Sequence, residues 1–472
     1  MMSLSLLPPR ELKESKEEKA MGADKTKKIL LVGSWAKEQI TIENIKKNPS
    51  YKIFSYLDTN NPAIISLVEG FFVGSLSDPN SILNYAKKIK PDLIIITTAS
   101  PLAAGSADKL EAEGFKVFGP KKLSAQLESN KAFTRNLMYE YLPESLPEFK
   151  VLEDNFEAVE YAKSKNFEVA VKPIGLTEGL GVKVLGDQLK NDGEVIDYIT
   201  QILTDEKKGK KVIVEQRIQG EEFTLQCFVN GETILPTPCV QDFKKLLPEG
   251  RGPNTASMGS YSSNSHLLPF LSQDDYNQAL GIIEKTISAF RKETGQDPCG
   301  FLYGQFMITK FGVKLIEYNF RPGDPEWMNT VAVLEDNIVD VVEDILSKKT
   351  RKLNFKNKAT VCKYITPKEY PYKLYQILDV NFDKDEIEKE KVGIYYSCGL
   401  DKSDKLEVGS ERGIAFLAVA DRIEEANKKV EAAIAKIKGD FYYRQDIGTK
   451  ELIDQKIKNV EKLELKNENQ RS

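Results

Sequence analysis

Glu317 and Asn319 stand two apart in the alternating run VKLIEYNF, so on a strand their side chains leave the same face. A carboxylate beside an amide oxygen suits a hard divalent cation such as Mg²⁺, which takes few protein oxygens and shares its remaining positions with phosphates. Arg321, two residues further on, adds a fixed cation beside that pair. A hairpin with a solvated polar edge explains the same pattern, so the residues upstream must decide. There, Lys172 ends the apolar run FEVAVK and is followed by Gly175, Gly179 and Gly181. Glycine amides approach polyphosphate closely while an ammonium offsets its charge. The pattern is not a Walker loop, because GxxxxGK[ST] is absent, and a plain hairpin remains the simpler reading of the turn alone. Lys131 opens a helical stretch as a second cation. Glu215 closes KKVIVE and Glu222 follows seven residues later. Carboxylates so placed accept hydrogen bonds from an adenine amino group and from ribose hydroxyls, or else are ordinary surface charges.

These residues need particular elements beneath them. LYGQFMIT and VKLIEYNF flank Lys310, Phe311 and Gly312 and predict an antiparallel hairpin, with Gln305 placed to join Glu317 and Asn319 across the ladder. KKILLVG followed by SWAKEQITIENIKK reads as strand, turn and helix, and the alternation repeats through YKIFSYL, SILNYAKKIK, PDLIIITTAS and KVFGP. Residues 27–126 thus predict a parallel α/β domain of Rossmann type, with ligands beyond the carboxyl ends of its strands, near 33–39 and 97–105. Residues 127–350 alternate short strands and helices as an α+β unit in which 147–215 is expected to move as a lid. Within it, 242–265 reads as one long polar loop and Gln273 to Glu293 as a helix. Residues 351–450 predict a small, mostly antiparallel lobe. Residues 1–26 and 451–472 read as charged tails, the first disordered and the second with one possible helix.

The bulk properties exclude several classes. At 472 residues the chain exceeds one compact core. A net charge of -4 gives no electrostatic reason to expect nucleic acid. No run approaches the roughly 18 apolar residues of a membrane span. Five scattered cysteines without a CxxC pair argue against zinc knuckles and disulfides and point to a reducing, cytoplasmic setting. One histidine, His266 in a polar stretch, leaves little room for a Ser-His or Cys-His dyad.

Two lysines, a glycine turn, two spaced carboxylates and a Glu/Asn strand occur in the order of the ATP-grasp fold. From Lys27 to Gly448 the chain resembles the phosphoribosylamine-glycine ligase family, most specifically in SPLAAG (100–105), FGPKKLSAQLESNKAF (118–133), GPNTASMGSYS (252–262), IEYNFRPGDPE (316–326) and YYRQDIG (442–448). The resemblance implies an ATP-grasp fold with an N-terminal Rossmann-like domain and a small C-terminal β lobe. It also implies ligation of glycine to 5-phosphoribosylamine with cleavage of ATP. Around ATP it implies Lys131, Lys172, Gly179, Gly181, Glu215, Ile218 and Glu222. For Mg²⁺ or Mn²⁺ it implies Glu317 and Asn319, and for catalysis Lys172, Asp242 and Arg321. The amine and glycine side would use Gly33, Ser34, Lys37, Pro101, Asn254, Thr255, Ser257, Met258, Arg321 and Asp324. A monomer or weak homodimer is expected.

The sequence departs from the family pattern mainly on the amine side. The usual GSGGREHA reads GSWAKEQI, placing Trp35 and Ala36 at two glycine positions, Lys37 at an arginine and Gln39 at a histidine. A carboxylate position before PLAAG holds Ala99, the lid turn carries Leu180 for a lysine, and Ala256 and Ser257 replace two glycines. An ATP-grasp ligase for another amino acid or amine and a non-catalytic nucleotide-binding relative therefore stand as alternatives.

Overall fold

Apolar residues fill the interior of Lys27–Val32 and Leu93–Ile96, and both strands lie at the centre of a five-stranded sheet. Every pairing in it is parallel, and its order places Lys27–Val32 between Tyr51–Leu57 and Leu93–Ile96, with Gly70–Val73 and Val117–Phe118 outermost. Fully buried β-branched strands of this kind need helices on both faces, here Ala36–Ile45 on one and Pro79–Ile89 on the other. The computed structural model describes residues 26–175, 181–205, 210–349, 351–409 and 411–471. The disordered reading of the N-terminal tail and the Gly179 position lie outside the described residues.

The expected hairpin forms from Cys299–Thr309 and Gly312–Asn319, and Gln305 pairs with Glu317 in register. A bulge follows, because Phe306 pairs with Leu315 and skips Ile316. The freed Ile316 carbonyl accepts a hydrogen bond from Arg135 Nη2 at 2.6 Å. Glu221–Asn230 pairs along the other side of Cys299–Thr309, and Thr233–Pro236 completes this four-stranded sheet. A second antiparallel sheet, of Phe149–Leu152, Val212–Gln216, Val169–Pro173 and Lys183–Val184, forms the opposing lobe on its own apolar cluster. The two sheets face one another across the cleft that holds Glu317.

One stretch differs from expectation, and two helices add to what was expected. Residues 242–265 are not one loop: Lys245–Leu247 pairs with Arg251–Asn254, and Gly259–Ser262 joins the C-terminal sheet beside Ala359–Ile365. That strand begins at Gly259, where φ is +157° and an added Cβ would lie 2.3 Å from the Cys362 carbonyl oxygen, so only glycine brings the two backbones together. Asp192–Thr204, held by an Asn191 cap on Glu194 N, is a helix whose glycine and turn-like opening obscured its apolar spacing. Residues Lys450–Arg471 form the possible terminal helix, which packs on the fold with Leu452, Ile453 and Val460 buried. Its mean composition is strongly polar, so the narrow apolar stripe carried little sequence signal.

The C-terminal sheet of Ala359–Ile365, Ile414–Ala420 and Val392–Tyr396 is antiparallel, with Ile423–Ile434 packed on it. Phe118, Phe228, Phe301 and Trp327 pack between the N-terminal sheet and the central one, and Trp327 Nε1 donates to Thr41 Oγ1 at 2.9 Å. Among the described residues no helix is long and apolar enough to cross a membrane.

Candidate active site

Alternation along Gly312–Asn319 turns Glu317 and Asn319 to one face, and both line a cavity enclosed by the N-terminal, central and C-terminal sheets. Arg321 follows on the same edge. Its Nε lies 3.1 Å from Glu128 Oε1 and its Nη2 lies 3.5 Å from Asn319 Oδ1, while Glu128 Oε2 accepts from Phe320 N at 2.9 Å. Glu128 thus fixes both the backbone and the cation beside Glu317 and Asn319. Burial raises the Glu317 pKa, but Lys244, Lys131, Lys172 and Arg321 together outweigh it and hold the carboxyl below its ordinary value. Four cations around one carboxylate form an environment prepared for further negative charge.

Lys172, next to last in its strand, is almost fully buried beside Glu215, to whose Oε2 it is bonded. Arg135 Nε binds Glu215 Oε1 at 2.5 Å. Burial alone would raise the Glu215 pKa, and the two cations reverse this and bring it down to about 2. Both Glu215 oxygens are therefore engaged by cations, and through this pairing Glu215 positions Lys172. Burial lowers the Lys172 pKa against the pull of Glu215, with Arg135 adding to the lowering. Lys131, Lys172, Glu215 and Glu317 line one narrow cleft, so the two lysines and the strand carrying Glu317 are together. Lys131 Nζ donates to the Gly175 carbonyl at 3.0 Å, tying the helix start to the glycine turn.

Asp242 is buried and its Oδ2 has no hydrogen-bond partner. Gln305 Nε2 lies 3.4 Å from Asp242 Oδ1 and 2.8 Å from Glu222 Oε2, while its amide oxygen contacts the Tyr303 hydroxyl. This corrects the expectation that Gln305 joins the metal pair: its amide nitrogen separates two carboxylates instead. Tyr303 also lies 2.9 Å from Glu326 Oε1. Burial, with Asp242 nearby, pushes the Glu326 carboxyl up to about 7. Lys244 answers this acidic group; burial works against its charge, but Asp242, Glu222, Glu317 and Glu326 raise its pKa.

The remaining expected residues divide between the cavity wall and its support. Lys37, Thr255, Ser257 and Asp324 line the same cavity as Glu317, and Asn254 and Glu222 line a neighbouring one. Ser34 lies beneath the wall, accepting from Asp58 N at 2.8 Å. Gly33, at φ +146°, leaves room for Glu38, which an added Cβ would meet at 2.7 Å. Pro101 and Met258 are buried, Met258 wholly in the core, and neither lines either cavity. Ile218 is half-buried in the connection between lobes and lines neither cavity. The Gly181 carbonyl accepts from the Tyr198 hydroxyl at 2.7 Å.

Trp35 has φ −113°, so this departure from the family's glycine costs the backbone nothing. Ser257 differs. Its φ is +84°, a left-handed conformation held because Thr255 Oγ1 accepts from Ser257 N and Ser257 Oγ accepts from Phe243 N, each at 3.1 Å. Sequence reading missed Arg135, Lys244, Glu128, Glu326 and Arg412. Glu128 and Arg135 fall within FGPKKLSAQLESNKAF or directly after it, so proximity to Lys131 was the available signal; Arg412 had none.

The donor set also tests a metal. Among the described residues no cluster of three or more His, Cys, Asp or Glu side chains could hold one. The Glu317 carboxylate and Asn319 amide oxygen fit a hard cation whose other positions go to phosphate oxygens and water.

The cavity around Glu317 and the neighbouring one share Asp242, Lys244 and Glu317. The first opens toward Trp35 and Lys37, and the second toward Val184, Ile316 and Glu222. Two chambers therefore meet at one group of charges, an arrangement that lets two separately bound molecules exchange a charged group.

Known proteins give the same picture. Residues 27–128 match the phosphoribosylglycinamide synthetase N domain, and 129–327 its ATP-grasp (A) domain. A phosphoribosylamine-glycine ligase of Methanocaldococcus jannaschii is 41% identical over 442 residues, covering 92% of this chain and 99% of that protein. One from Methanosphaera stadtmanae is 40% identical, covering 93% and 100%. Among solved structures, the phosphoribosylamine-glycine ligase of Thermotoga maritima shares the fold with a TM-score of 0.73 at 23% identity, covering 89% of this chain and 100% of that one. The N5-carboxyaminoimidazole ribonucleotide synthetase of the same organism does so with a TM-score of 0.62 at 15% identity, covering 87% and 99%. With both domain models matched in order and relatives near 40% identity along almost its whole length, the chain belongs to the phosphoribosylglycinamide synthetase family of ATP-grasp proteins.

Proposed function

We propose that this protein ligates glycine to 5-phosphoribosylamine, with cleavage of ATP to ADP and phosphate, as a step of purine biosynthesis. The observation that carries this reading is the meeting of two chambers at Asp242, Lys244 and Glu317. ATP occupies the chamber toward Val184 and Glu222, and glycine and the phosphorylated amine occupy the one toward Trp35 and Lys37. The names of the relatives support the choice of these substrates.

A carboxylate is a poor electrophile, so it must first be activated. A glycine carboxylate oxygen bonds to the γ-phosphorus as the bond to the β,γ-bridging oxygen breaks, releasing ADP and giving glycyl phosphate. The amine nitrogen of phosphoribosylamine then bonds to the carbonyl carbon, the carbon–oxygen bond to phosphate breaks, and the nitrogen loses a proton. Lys131, Lys172 and Lys244 hold the phosphates and offset charge that builds up during transfer. Arg321 faces the glycine carboxylate, and Asp242, whose Oδ2 has no hydrogen-bond partner, faces its ammonium. Glu317 and Asn319 would hold Mg²⁺ or Mn²⁺, which when bound neutralises phosphate charge.

The five cysteines are unpaired, which supports a reducing, cytoplasmic setting, and we read the molecule as a monomer or weak homodimer. An ADP-release assay tests the function across a panel of amino acids and amines. ADP should form only when glycine and phosphoribosylamine are both present. Equal turnover with a different amine would assign the Lys37 and Ala99 pocket to another substrate.

A further inference from the structure

The helix Lys450–Arg471 lies outside both matched family domains, yet Leu452, Gln455, Lys456 and Asn459 line the chamber that also contains Glu222 and Glu317. Its attachment is specific. Asn459 Nδ2 donates to Glu221 Oε1 at 2.6 Å, and Lys456 Nζ lies 2.8 Å from Glu221 Oε2. Glu221 is buried, so this carboxylate has left water and relies on these two partners. It also begins the strand Glu221–Asn230 immediately after Gly220, where an added Cβ would lie 1.8 Å from the Ile308 carbonyl oxygen. The strand start is thus pressed against its neighbour on one side and held by the helix on the other.

The helix is fixed at its own start as well. Arg444 pairs with Asp446 and donates to the Lys245 carbonyl at 3.1 Å, and the Thr449 hydroxyl accepts from Leu452 N at 3.3 Å. Leu452, Ile453 and Val460 then bury the helix's apolar stripe.

We propose that this helix is the outer wall of the nucleotide chamber and that Lys456 and Asn459 are positioning residues for ATP. By holding Glu221 they fix the adjacent Glu222, whose carboxylate enters the chamber and is joined there by Gln305 Nε2. The inference rests on the nucleotide reading of that chamber. Glycine and the amine bind in the other chamber, which the helix does not reach, so the helix acts on the nucleotide alone.

The test is made on the full chain with Lys456→Ala, Asn459→Ala and the double variant, by calorimetric ADP titration and steady-state assays. The expected result is an ADP Kd and an ATP KM raised about five- to ten-fold in the double variant, the scale of losing charge-assisted hydrogen bonds. The glycine KM should stay within about two-fold of wild type, and Lys456→Arg should recover most of the loss. A lower melting temperature with unchanged ADP affinity would make the helix merely structural and overturn the inference. An equal rise in the ATP and glycine KM values would also overturn it. If the double variant does not fold, the single Asn459→Ala variant gives the same readout. A wild-type chain that binds no ADP would sink the nucleotide reading itself, an outcome distinct from wild-type binding that the variants leave unaltered.

Discussion

Arg412 Nη2 lies 2.8 Å from Asp324 Oδ1, a buried pair that joins the C-terminal sheet to the wall of the catalytic chamber. The same guanidinium donates to the Asp324 carbonyl at 2.8 Å, bonds to the Ala256 carbonyl, and stacks 4.2 Å from the Tyr364 ring. One side chain therefore fixes both the Asp324 loop and the left-handed Ser257 loop. Arg412→Ala would leave Asp324 buried with a lost cation, a change that costs about 3–5 kcal/mol. Arg412→Lys would keep the charge but lose the planar fork. We expect thermal unfolding to show the full loss in the first variant. In the second, glycine-dependent turnover should fall more than stability does.

Glu215, between Arg135 and Lys172, links charge pairing to acid stability. Its folded pKa of about 2 is below the ordinary 4.5, so the stabilisation is present above the unfolded value and is lost as pH falls from about 4.5 toward 2. Glu215→Gln should destabilise the protein at neutral pH by about 3–5 kcal/mol, because two buried cations lose their partner. It should also flatten this part of the stability profile, measured by denaturant unfolding at stepped pH. Lys172→Ala is milder for the fold, since Arg135 still answers Glu215, but it should abolish ATP turnover.

How much of this site was legible depends on where each residue gets its meaning. Glu317 and Asn319 were readable because strand alternation alone sets their common face, and Lys172 because a strand end next to glycines restricts its surroundings. Arg412 was not readable: it follows no local pattern and acquires its role only when a distant sheet meets the Asp324 loop. The parallel N-terminal sheet was readable from continuous apolar runs. Gly70–Val73 was not, because an edge strand with exposed Phe71, Phe72 and Val73 lacks a buried face to set its period. The burial of Met258 was not readable for the opposite reason, since its motif lines the chamber while its own side chain packs in the core.

Glu326 should give the protein a pH dependence of opposite sign. Burial, then the nearby Asp242, raises its folded pKa to about 7 from 4.5, so its contribution is complete below about 4.5 and is lost as pH rises through about 7. Glu326→Gln keeps the shape and removes the titration. The variant should gain stability relative to wild type above pH 7, by roughly 2–3 kcal/mol, and lose that advantage at pH 5. Unfolding midpoints for both proteins at pH 5 and 8 check it, and a difference independent of pH would refute the assignment.

Glu317→Gln separates metal binding from nucleotide binding. The lysines and Arg321 around Glu317 remain in this variant, so attraction for phosphate survives while the carboxylate that opposed them is gone. ADP should therefore bind the variant without added metal at least as tightly as it binds wild type under the same conditions. Mg²⁺ should no longer strengthen that binding, and turnover should fall below detection because the terminal phosphate lacks its bridging charge. Paired calorimetric titrations of ADP, with Mg²⁺ and with chelator, measure both parts. A variant that retains the Mg²⁺ effect in full would remove Glu317 from the metal site and shift attention to Asp242, the other carboxylate that lines both chambers.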